Sequence, residues 1–230
     1  MYIGIDVGGT NTDAVLMDGD VLVGKIKNPT TPDVTSGIIS CINTLINSRP
    51  DVGQIDAVML GTTHFVNALL QRRELAPSAA LRLCLPATTM LPPLVDWPGD
   101  LKKSIGAHTY MARGGHEYDG REISSIDEKE LREIAKQMTA EGVRSVSICG
   151  VFSPVDGSHE KIAAEIIKSE TPDMNITLSS EIGRVGLLER ENAAMLNACL
   201  VEVAAKTVAA IRTAMASAGL NVPLFFSQND

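Results

Sequence analysis

The stretch that decides the fold is Ile3-Gly4-Ile5-Asp6-Val7-Gly8-Gly9-Thr10-Asn11-Thr12-Asp13, close to the start of the chain. Apolar residues recur at every second position, at Ile3, Ile5 and Val7, which is the period of a strand with one buried face. A second apolar run, Ala14–Met17, follows the two glycines and the Thr-Asn-Thr segment. The pattern therefore predicts a hairpin of two strands joined by a glycine-rich turn.

The composition of this turn suggests an anion site. Gly8 and Gly9 let a ligand approach the main-chain N–H groups closely, and the hydroxyls that follow can add further donors. Asp6 lies near the end of the first strand and could hold Mg²⁺ beside a phosphate, because this cation prefers carboxylate and phosphate oxygens. The alternative is an ordinary tight hairpin whose glycines only supply positive φ angles. The flanking Asp6 and Asp13 favour the phosphate interpretation.

Bulk composition limits the classes of partner. The chain has 230 residues, 44% of them apolar, which suffices for one large domain or two small ones. The net charge is −8 and no Lys/Arg run with interleaved aromatic residues occurs, which argues against nucleic acid and against an anionic membrane surface. No stretch with the apolar length of a membrane span and no secretory leader is evident, so we expect a cytoplasmic protein.

The cysteines and histidines do not form a metal motif. The four cysteines stand singly in apolar segments and predict buried free thiols: Cys41, Cys84, Cys149 and Cys199. The histidines lack metal-ligand spacing and are expected at the surface or in hydrogen bonds: His64, His108, His116 and His159.

The order of the remaining patterns predicts the fold class. A third strand at Val21–Lys27 follows a short turn and should be antiparallel to the second. Ala57–Leu60 reads as a strand that runs into Gly61–His64 and then a helix at Phe65–Arg73. Strands alternating with helices after an antiparallel start indicate an α/β domain with a mixed sheet. A dinucleotide fold would instead have a helix and a G-x-G-x-x-G fingerprint after the first strand.

Farther along, the pattern is less regular. Residues 86–122 contain several Pro and Gly pairs and are interpreted as an irregular insertion packed on the domain. Asp127 is placed to cap a helix over residues 128–141. A long helix is predicted from about residues 181–184 to residue 217, and a strand over residues 222–226.

The motifs taken together resemble a known family. The Asp-x-Gly-Gly-Thr-x-Thr-Asp hairpin resembles the first phosphate loop of the actin-like ATPase superfamily. The full set resembles the N-terminal part of the hydantoinase/oxoprolinase family, over essentially the whole chain: residues 6–13, 61–70, 150–154 and 159–160, followed by 179–181, 189–190 and 197–198. The resemblance implies the ribonuclease H-like half of an actin-like ATPase fold, with three antiparallel N-terminal strands flanked by helices.

The family implies an ATP-dependent amidohydrolase that opens a cyclic amide, such as a hydantoin or 5-oxoproline, after phosphorylation by ATP. An ATP-using carboxylase subunit of the acetone carboxylase type and a small-molecule kinase are alternatives within the enzymes. A non-catalytic actin-like ATPase switch or regulator is the alternative of another class. The resemblance further implies a small-molecule substrate and a partner B subunit, and it leaves a homo-oligomer open.

Site residues follow from the resemblance position by position. Asp6 would hold Mg²⁺, and the β- and γ-phosphates of ATP would be cradled by Gly8, Gly9, Thr10, Asn11 and Thr12. The candidate catalytic residues are Asp13, Thr62, Thr63 and Asn67. Asp13 could instead make an Asx-type turn contact, and Thr63 could instead cap a helix. Glu189 and Arg190 are expected to form a structural ion pair.

The resemblance also predicts the domain organisation. Residues 1–226 would form the hydantoinase/oxoprolinase N-terminal domain, and residues 227–230 would begin a second domain that this chain lacks. The actin-like fold needs both halves for its nucleotide site, so this fragment alone is expected to be inactive. The family commonly has a Thr-Ser-Thr run where this chain has Glu191, Asn192 and Ala193, which leaves the substrate open.

Overall fold

The computed structural model describes residues 1–29, 34–47, 53–106 and 108–227, with side chains in the first helix described from residue 37 onward. The strands are β1 (Tyr2–Val7), β2 (Asn11–Asp18), β3 (Val21–Pro29), β4 (Ala57–Thr62), β5 (Ser78–Leu85), β6 (His108–Arg113), β7 (Ser145–Gly150), β8 (Asn175–Leu178) and β9 (Leu224–Phe226). The helices are α1 (Val34–Asn47), α2 (His64–Gln71), α3 (Gly99–Ile105), α4 (Glu128–Ala140), α5 (Ser158–Glu170), α6 (Ser179–Ile182) and α7 (Leu187–Ser217).

The chain divides into two compact units. The first unit comprises Met1–Gln71 with Val203–Asp230, and the second comprises Arg72–Glu202. The sequence predicted a single domain over residues 1–226, and that assignment stays a prediction. The start of a further domain was predicted at residues 227–230, and residues 228–230 of that range lie outside the described residues.

The first unit contains the predicted mixed sheet. Its strand order is β3-β2-β1-β4-β9. β1 pairs antiparallel with β2, and β2 with β3, whereas β4 and β9 continue the sheet in parallel from β1. The three antiparallel N-terminal strands and the α/β class are therefore confirmed.

One face of this sheet builds the core of the first unit. Ile3, Ile5 and Val7 of β1 are buried, while the residues between them face the other side, as the period of two requires. They pack with apolar residues of β2, β4, α1 and the last turns of α7: Ala14, Leu16, Ile38, Ile42, Leu45, Val58, Leu60, Ile211, Ala214 and Met215. Fully burying a side chain such as Ile3 contributes about 1.5–3 kcal/mol.

The second unit contains a separate sheet that the sequence did not distinguish from the first. Its four strands are all parallel, in the order β6-β5-β7-β8. Every residue of β7 is buried, as is typical of a parallel strand covered on both faces. Asp127 caps α4 as predicted, because its Oδ1 accepts from Lys129 N at 3.0 Å and from Glu130 N at 3.2 Å.

The segment 86–122 contains more regular structure than predicted. It includes helix α3 and strand β6, which extends the second sheet beside β5. Beyond β6, Glu117 N donates to Arg121 O at 2.7 Å, which closes a tight turn at Asp119-Gly120. The description of this segment as an irregular insertion is therefore too loose.

Helix α7 begins later than predicted. The short helix α6 covers Ser179–Ile182, and α7 starts at Leu187 after an intervening non-helical segment. Of the described helices, α7 alone is long and apolar enough by length and composition to cross a membrane. The sequence analysis found no stretch of that length, and this point is corrected here. A helix buried in the core of a protein can have the same length and apolar composition as a membrane span. Buried residues of α7 occur in both units, including Met195 and Ile211, so this feature alone assigns no membrane span.

The loop after β6 depends on a glycine at a crowded position. Gly115 has φ +83°, and a Cβ at this position would lie 2.6 Å from Leu83 O. Gly120 has a similar φ of +86° but no atom within 4 Å of its Cβ position. These two glycines therefore share the backbone constraint and differ in crowding.

We expect Gly120→Ala to cost about 1 kcal/mol through its positive φ alone, and Gly115→Ala to cost about 1–3 kcal/mol more through the clash. The measurement is urea unfolding followed by the fluorescence of the single tryptophan, Trp97, which lies in the same unit. Equal losses in the two variants would contradict the crowding at Gly115.

The four cysteines are buried free thiols, as predicted. Burial raises the pKa of the Cys149 and Cys199 thiols to about 12, and it also raises the pKa of Cys41 and Cys84. Because the thiolate is the reactive form, we expect an aromatic disulfide reagent at pH 8 to label the native chain extremely slowly. All four thiols should react at once in denaturant. Rapid labelling of Cys149 or Cys199 in the native protein would refute this prediction.

Candidate functional site

The predicted metal and catalytic carboxylates lie on the open face of the first sheet. Asp6 is exposed near the end of β1, and its direct neighbours in register are Asp13 on β2 and Gly61 on β4. Asp13 forms an exposed ion pair with Lys27 of β3, whose Nζ lies 3.4 Å from the carboxylate. The structure therefore aligns the Lys27 ammonium group and the carboxylates of Asp13 and Asp6 in one row across β3, β2 and β1.

The glycine-rich turn between β1 and β2 adjoins this row. Gly8 N donates to Asn11 O at 2.9 Å, and a Cβ on Gly8 would lie 3.1 Å from the same carbonyl. A Cβ on Gly9 would lie 3.1 Å from Asn67 Nδ2. The turn and the first part of α2 thus approach each other closely, and the structure brings Asn67 to the predicted phosphate loop.

The start of α2 is held against β1 by Thr62. Its hydroxyl donates to Val7 O at 3.1 Å and accepts from His64 N at 3.0 Å, while Thr63 N donates to Val7 O at 3.3 Å. The hydroxyl that satisfies the first helical N–H is therefore that of Thr62, whereas the sequence analysis had named Thr63 as the alternative cap. Direct contacts of Thr62 and Thr63 with a substrate stay predictions.

The predicted cradle residues differ in accessibility. Gly9 and Thr10 are exposed, and Gly8 and Asn11 are half-buried. Thr12 is only 2% exposed, on the same face of β2 as Ala14 and Leu16. Its hydroxyl thus faces the core side of the sheet, so a phosphate contact would fall to the other four residues.

Gly61 adjoins Asp6, and Ser227 adjoins Gly61; neither was nominated as a site residue from the sequence. A Cβ on Gly61 would lie 3.6 Å from Asp6 Oδ1 and 3.2 Å from Ser227 Oγ. Ser227 N donates to Leu60 O at 2.8 Å, which extends the parallel pairing of β9 beyond Phe226. The glycine keeps the space beside Asp6 clear. Gly61 and Ser227 are 166 positions apart in the sequence. Their contact therefore follows only from the pairing of β4 with β9.

Residues of the later motifs form a buried polar network in the second unit. Glu160 accepts from Gly150 N at 2.8 Å, Ser179 Oγ at 2.5 Å and Ser180 N at 3.0 Å. Arg190 donates to Ser179 Oγ at 2.9 Å and to Gly150 O at 2.6 Å. The network joins β7, α5, α6 and α7. Among the described ion pairs Glu189 is absent, so the expected Glu189–Arg190 pair is wrong and Ser179 bridges Arg190 to Glu160 instead.

Two of the histidines pack together in the second unit. The rings of His116 and His159 are buried with centroids 4.2 Å apart. His159 Nδ1 accepts from Gly115 N at 3.0 Å, so in the neutral ring Nε2 carries the proton and faces Glu122 Oε1 at 3.3 Å. A hydrogen bond from Ser125 and a smaller contribution from the hydrogen bond of His159 lower the pKa of Glu122. Among the described residues no cluster of three or more His, Cys, Asp or Glu could hold a metal ion.

The family follows from a direct comparison. Residues 2–171 match the family model for the hydantoinase/oxoprolinase N-terminal region. The chain belongs to this family. Among its curated relatives, caprolactamase subunit alpha of Pseudomonas jessenii is 24% identical over 99% of the chain. The acetophenone carboxylase gamma subunit of Aromatoleum aromaticum is 24% identical over 86% of the chain.

The hydantoinase/oxoprolinase chain also resembles solved structures. The ATP-dependent caprolactamase from Pseudomonas jessenii matches 98% of the chain with a TM-score of 0.79 and 23% identity. A nucleotide-free acetone carboxylase matches 95% of it with a TM-score of 0.74 and 18% identity. At these identities the likeness establishes the fold alone. The chain spans 35% and 31% of the two curated relatives, and 35% and 34% of the two solved chains.

Proposed function

We propose that this chain is the N-terminal part of an ATP-dependent enzyme that opens a cyclic amide, with its phosphate site at the turn between β1 and β2. The observation that carries the proposal is that Asp6, the Gly8-Gly9 turn and Asn67 lie together at the end of β1, the central strand of the first sheet. The likeness to the ATP-dependent caprolactamase of Pseudomonas jessenii supports the same reaction class.

The geometry suits a nucleotide phosphate. The exposed glycine at position 9 leaves main-chain groups open to an anion, since no side chain stands before them. Asn67 Nδ2 lies against the same turn and can donate to a phosphate oxygen, and Thr10 offers an exposed hydroxyl. These groups would orient the terminal phosphate, and in phosphoryl transfer such positioning carries most of the catalysis.

The carboxylate row suits Mg²⁺, which prefers oxygen ligands and retains several waters. Asp6 is exposed and has glycine as its neighbour on β4, so a hydrated ion has room beside it. A bound Mg²⁺ would supply neutralisation of the charge that develops on the transferring phosphate. Asp13 lies next to Asp6 but is paired with Lys27, which fits a role in orienting water or the hairpin.

The proposed reaction balances with two waters. The amide oxygen attacks the γ-phosphorus of ATP and ADP leaves, which activates an otherwise unreactive carbonyl. Water then adds to the activated carbon, the ring C–N bond breaks, and the nitrogen takes a proton. A second water cleaves the acyl phosphate to a carboxylate and phosphate. The net products are the open amino acid, ADP and phosphate.

The chain is proposed to act within a longer polypeptide and with a partner subunit. It spans about a third of its relatives, and two of these are named as the alpha and the gamma subunit of their enzymes. The second half of the nucleotide site would lie outside these 230 residues, so this chain alone is expected to be inactive. We propose a cytoplasmic enzyme.

A carboxylase is the second candidate. The likeness to the acetophenone carboxylase subunit and to the acetone carboxylase structure favours it. In that case the same phosphate site would serve activation of a ketone and bicarbonate. Stimulation of ATP turnover by a cyclic amide, or by a ketone with bicarbonate, distinguishes the two.

The test is ATP turnover by the full-length enzyme with its partner subunit. The panel contains a lactam, a hydantoin, 5-oxoproline, and a ketone with bicarbonate. We expect a cyclic amide to stimulate ADP formation, with about one ADP formed per ring opened. Stimulation by the ketone and bicarbonate alone would overturn the amidohydrolase in favour of the carboxylase. Turnover that no substrate stimulates would favour an ATPase switch.

A further inference from the structure

The buried histidine pair of the second unit joins two elements of that unit. His116 lies in the segment that follows β6, and His159 is the second residue of α5. Their ring centroids are 4.2 Å apart, and the two residues are only 2% and 4% exposed. Gly115 N donates to His159 Nδ1 at 3.0 Å, so the backbone of the segment is bound directly to the helix. The pair therefore fastens the segment after β6 to the start of α5.

The neutral ring of His159 has a fixed proton arrangement. Its Nδ1 accepts from Gly115 N, and its Nε2 donates to Glu122 Oε1 at 3.3 Å. A second proton would have to bind at Nδ1, because Nε2 already carries one. Nδ1 would then face the N–H of Gly115 as another donor, and the hydrogen bond between the segment and the helix would be lost.

The ring of His116 has no acceptor for a second proton. Its Nε2 faces Asp156 Oδ2 at 3.8 Å, which is the side on which an N–H is favoured. Its Nδ1 is buried and has no hydrogen-bond partner among the described residues. A proton added at Nδ1 would be a buried donor without an acceptor, which costs free energy. Two charged rings with centroids 4.2 Å apart would also repel each other.

Two carboxylates face the pair and act in the opposite direction. Glu122 and Asp156 attract a charged imidazole, but their side chains are 52% and 45% exposed, so water screens much of that attraction. Hydrogen bonds from Ser125 and Ser158 lower the pKa of Glu122 and of Asp156, respectively, so both stay ionised between pH 7.5 and 5.5. Glu160, the next residue on α5, is occupied by the hydrogen bonds of its own network. In this pH range the change of charge at the pair therefore falls on the two imidazoles.

We propose that the His116–His159 pair is an acid-sensitive latch. At neutral pH it holds the segment after β6 on α5, and uptake of a second proton by either ring releases the segment. Imidazoles in the released segment and helix bind protons near the ordinary histidine value of about pH 6.5. Because the released state binds more protons than the latched state, lowering the pH favours release, by about tenfold per ring at pH 5.5. The latch thus confines the fastened form of the second unit to neutral and alkaline pH.

The experiment is hydrogen exchange with mass spectrometry on the full-length protein without nucleotide, at pH 7.5 and 5.5. The rates are corrected for the pH dependence of chemical exchange. Peptides that contain Gly115 report on the latch, and peptides from α4 are the reference within the same unit. We expect the corrected exchange of residues 114–123 to be about 100-fold faster at pH 5.5, tenfold for each ring. The exchange of α4 should change by less than about twofold.

Substitutions of the two rings assign the effect. In His159→Asn the amide Oδ1 takes the place of Nδ1 as the acceptor for Gly115 N, and in His116→Gln the amide N–H faces Asp156. Neither amide takes up a proton in this range, so each single variant should keep only about a tenfold acceleration. The double variant should show almost none.

His108→Asn is the control within the same unit. His108 Nδ1 lies 2.7 Å from Glu141 Oε2, so a proton added to this ring has an acceptor. This variant should keep the acceleration of about 100-fold, because it leaves the latch unchanged.

Equal corrected rates at the two pH values in the wild type would overturn the proposal. An acceleration of the same size in α4 would overturn it in favour of general acid unfolding. Full acceleration in the double variant would assign the pH dependence to other groups. Should the double variant or His159→Asn fail to fold, His116→Gln alone decides, because an undiminished acceleration in that variant would contradict the pair.

Discussion

Replacing Arg82 with methionine is expected to destabilise the second unit by about 3–5 kcal/mol, the largest stability loss of any substitution considered for this chain. Arg82 on β5 and Glu191 on α7 are both buried, and Arg82 Nε donates to Glu191 Oε1 at 2.8 Å. Arg82 also donates to Leu91 O. The substitution removes the cation and leaves the carboxylate without its partner, while methionine fills most of the volume.

The control for this prediction is the double variant Arg82→Met with Glu191→Met. Removing both charges should recover a large part of the lost free energy, because no uncompensated carboxylate is left in the interior. Urea unfolding monitored by Trp97 is well suited to both variants. Trp97 Nε1 donates to Asn192 Oδ1 at 2.7 Å, next to Glu191 in sequence. A double variant as unstable as Arg82→Met would show that the loss reflects packing and not the unpaired charge.

The second large effect is expected in activity. In the full-length enzyme, Asp6→Asn should lower the turnover of Mg·ATP by about 100-fold or more, because the Mg²⁺ ligand proposed at this position would supply several kcal/mol to the transition state. The change keeps the size of the side chain and removes its charge. Asp6 is exposed, so the fold should be retained.

The matched control for this variant is Asp20→Asn in the turn between β2 and β3, at the opposite end of the same sheet from the phosphate turn. Its turnover should stay within about twofold of the wild type, since surface substitutions away from special features have small effects. Circular dichroism checks the fold of both variants. Unchanged turnover in Asp6→Asn, with a normal spectrum, would remove Asp6 from the proposed metal site.

The sequence predicted the first sheet well because its signals are local. The alternation of Ile3, Ile5 and Val7 and the glycine turn define a hairpin without reference to the rest of the chain. Likewise the cap at Asp127 depends on residues only two and three positions away. Such features can be inferred from neighbouring residues alone.

The second sheet could not be predicted in this way. A continuous apolar strand such as β7 shows no alternation, so neither its partner nor its sheet can be inferred from its sequence. β6 was missed because His108–Arg113 mixes polar, aromatic and charged residues. Its place at the edge of a parallel sheet depends on pairing with β5.

The candidate site was predicted in part for the same reason. Asn67 and the glycine turn were nominated as separate motifs, and the structure brings them together at Gly9. The buried side of Thr12 follows from its phase on β2, which the motif alone does not reveal. Arg82 has a charged side chain that local patterns place at the surface. Its burial depends on Glu191, 109 positions away.

The most direct test of the phosphate site is a crystal structure of the full-length enzyme with a non-hydrolysable ATP analogue and Mn²⁺ in place of Mg²⁺. Anomalous scattering locates the manganese independently of the fitted atoms. We predict a manganese peak beside the Asp6 carboxylate, directly or through water, and phosphate oxygens within hydrogen-bonding distance of the turn from Gly8 to Asn11. Phosphates bound away from this turn, or a manganese peak with no link to Asp6, would contradict the central claim.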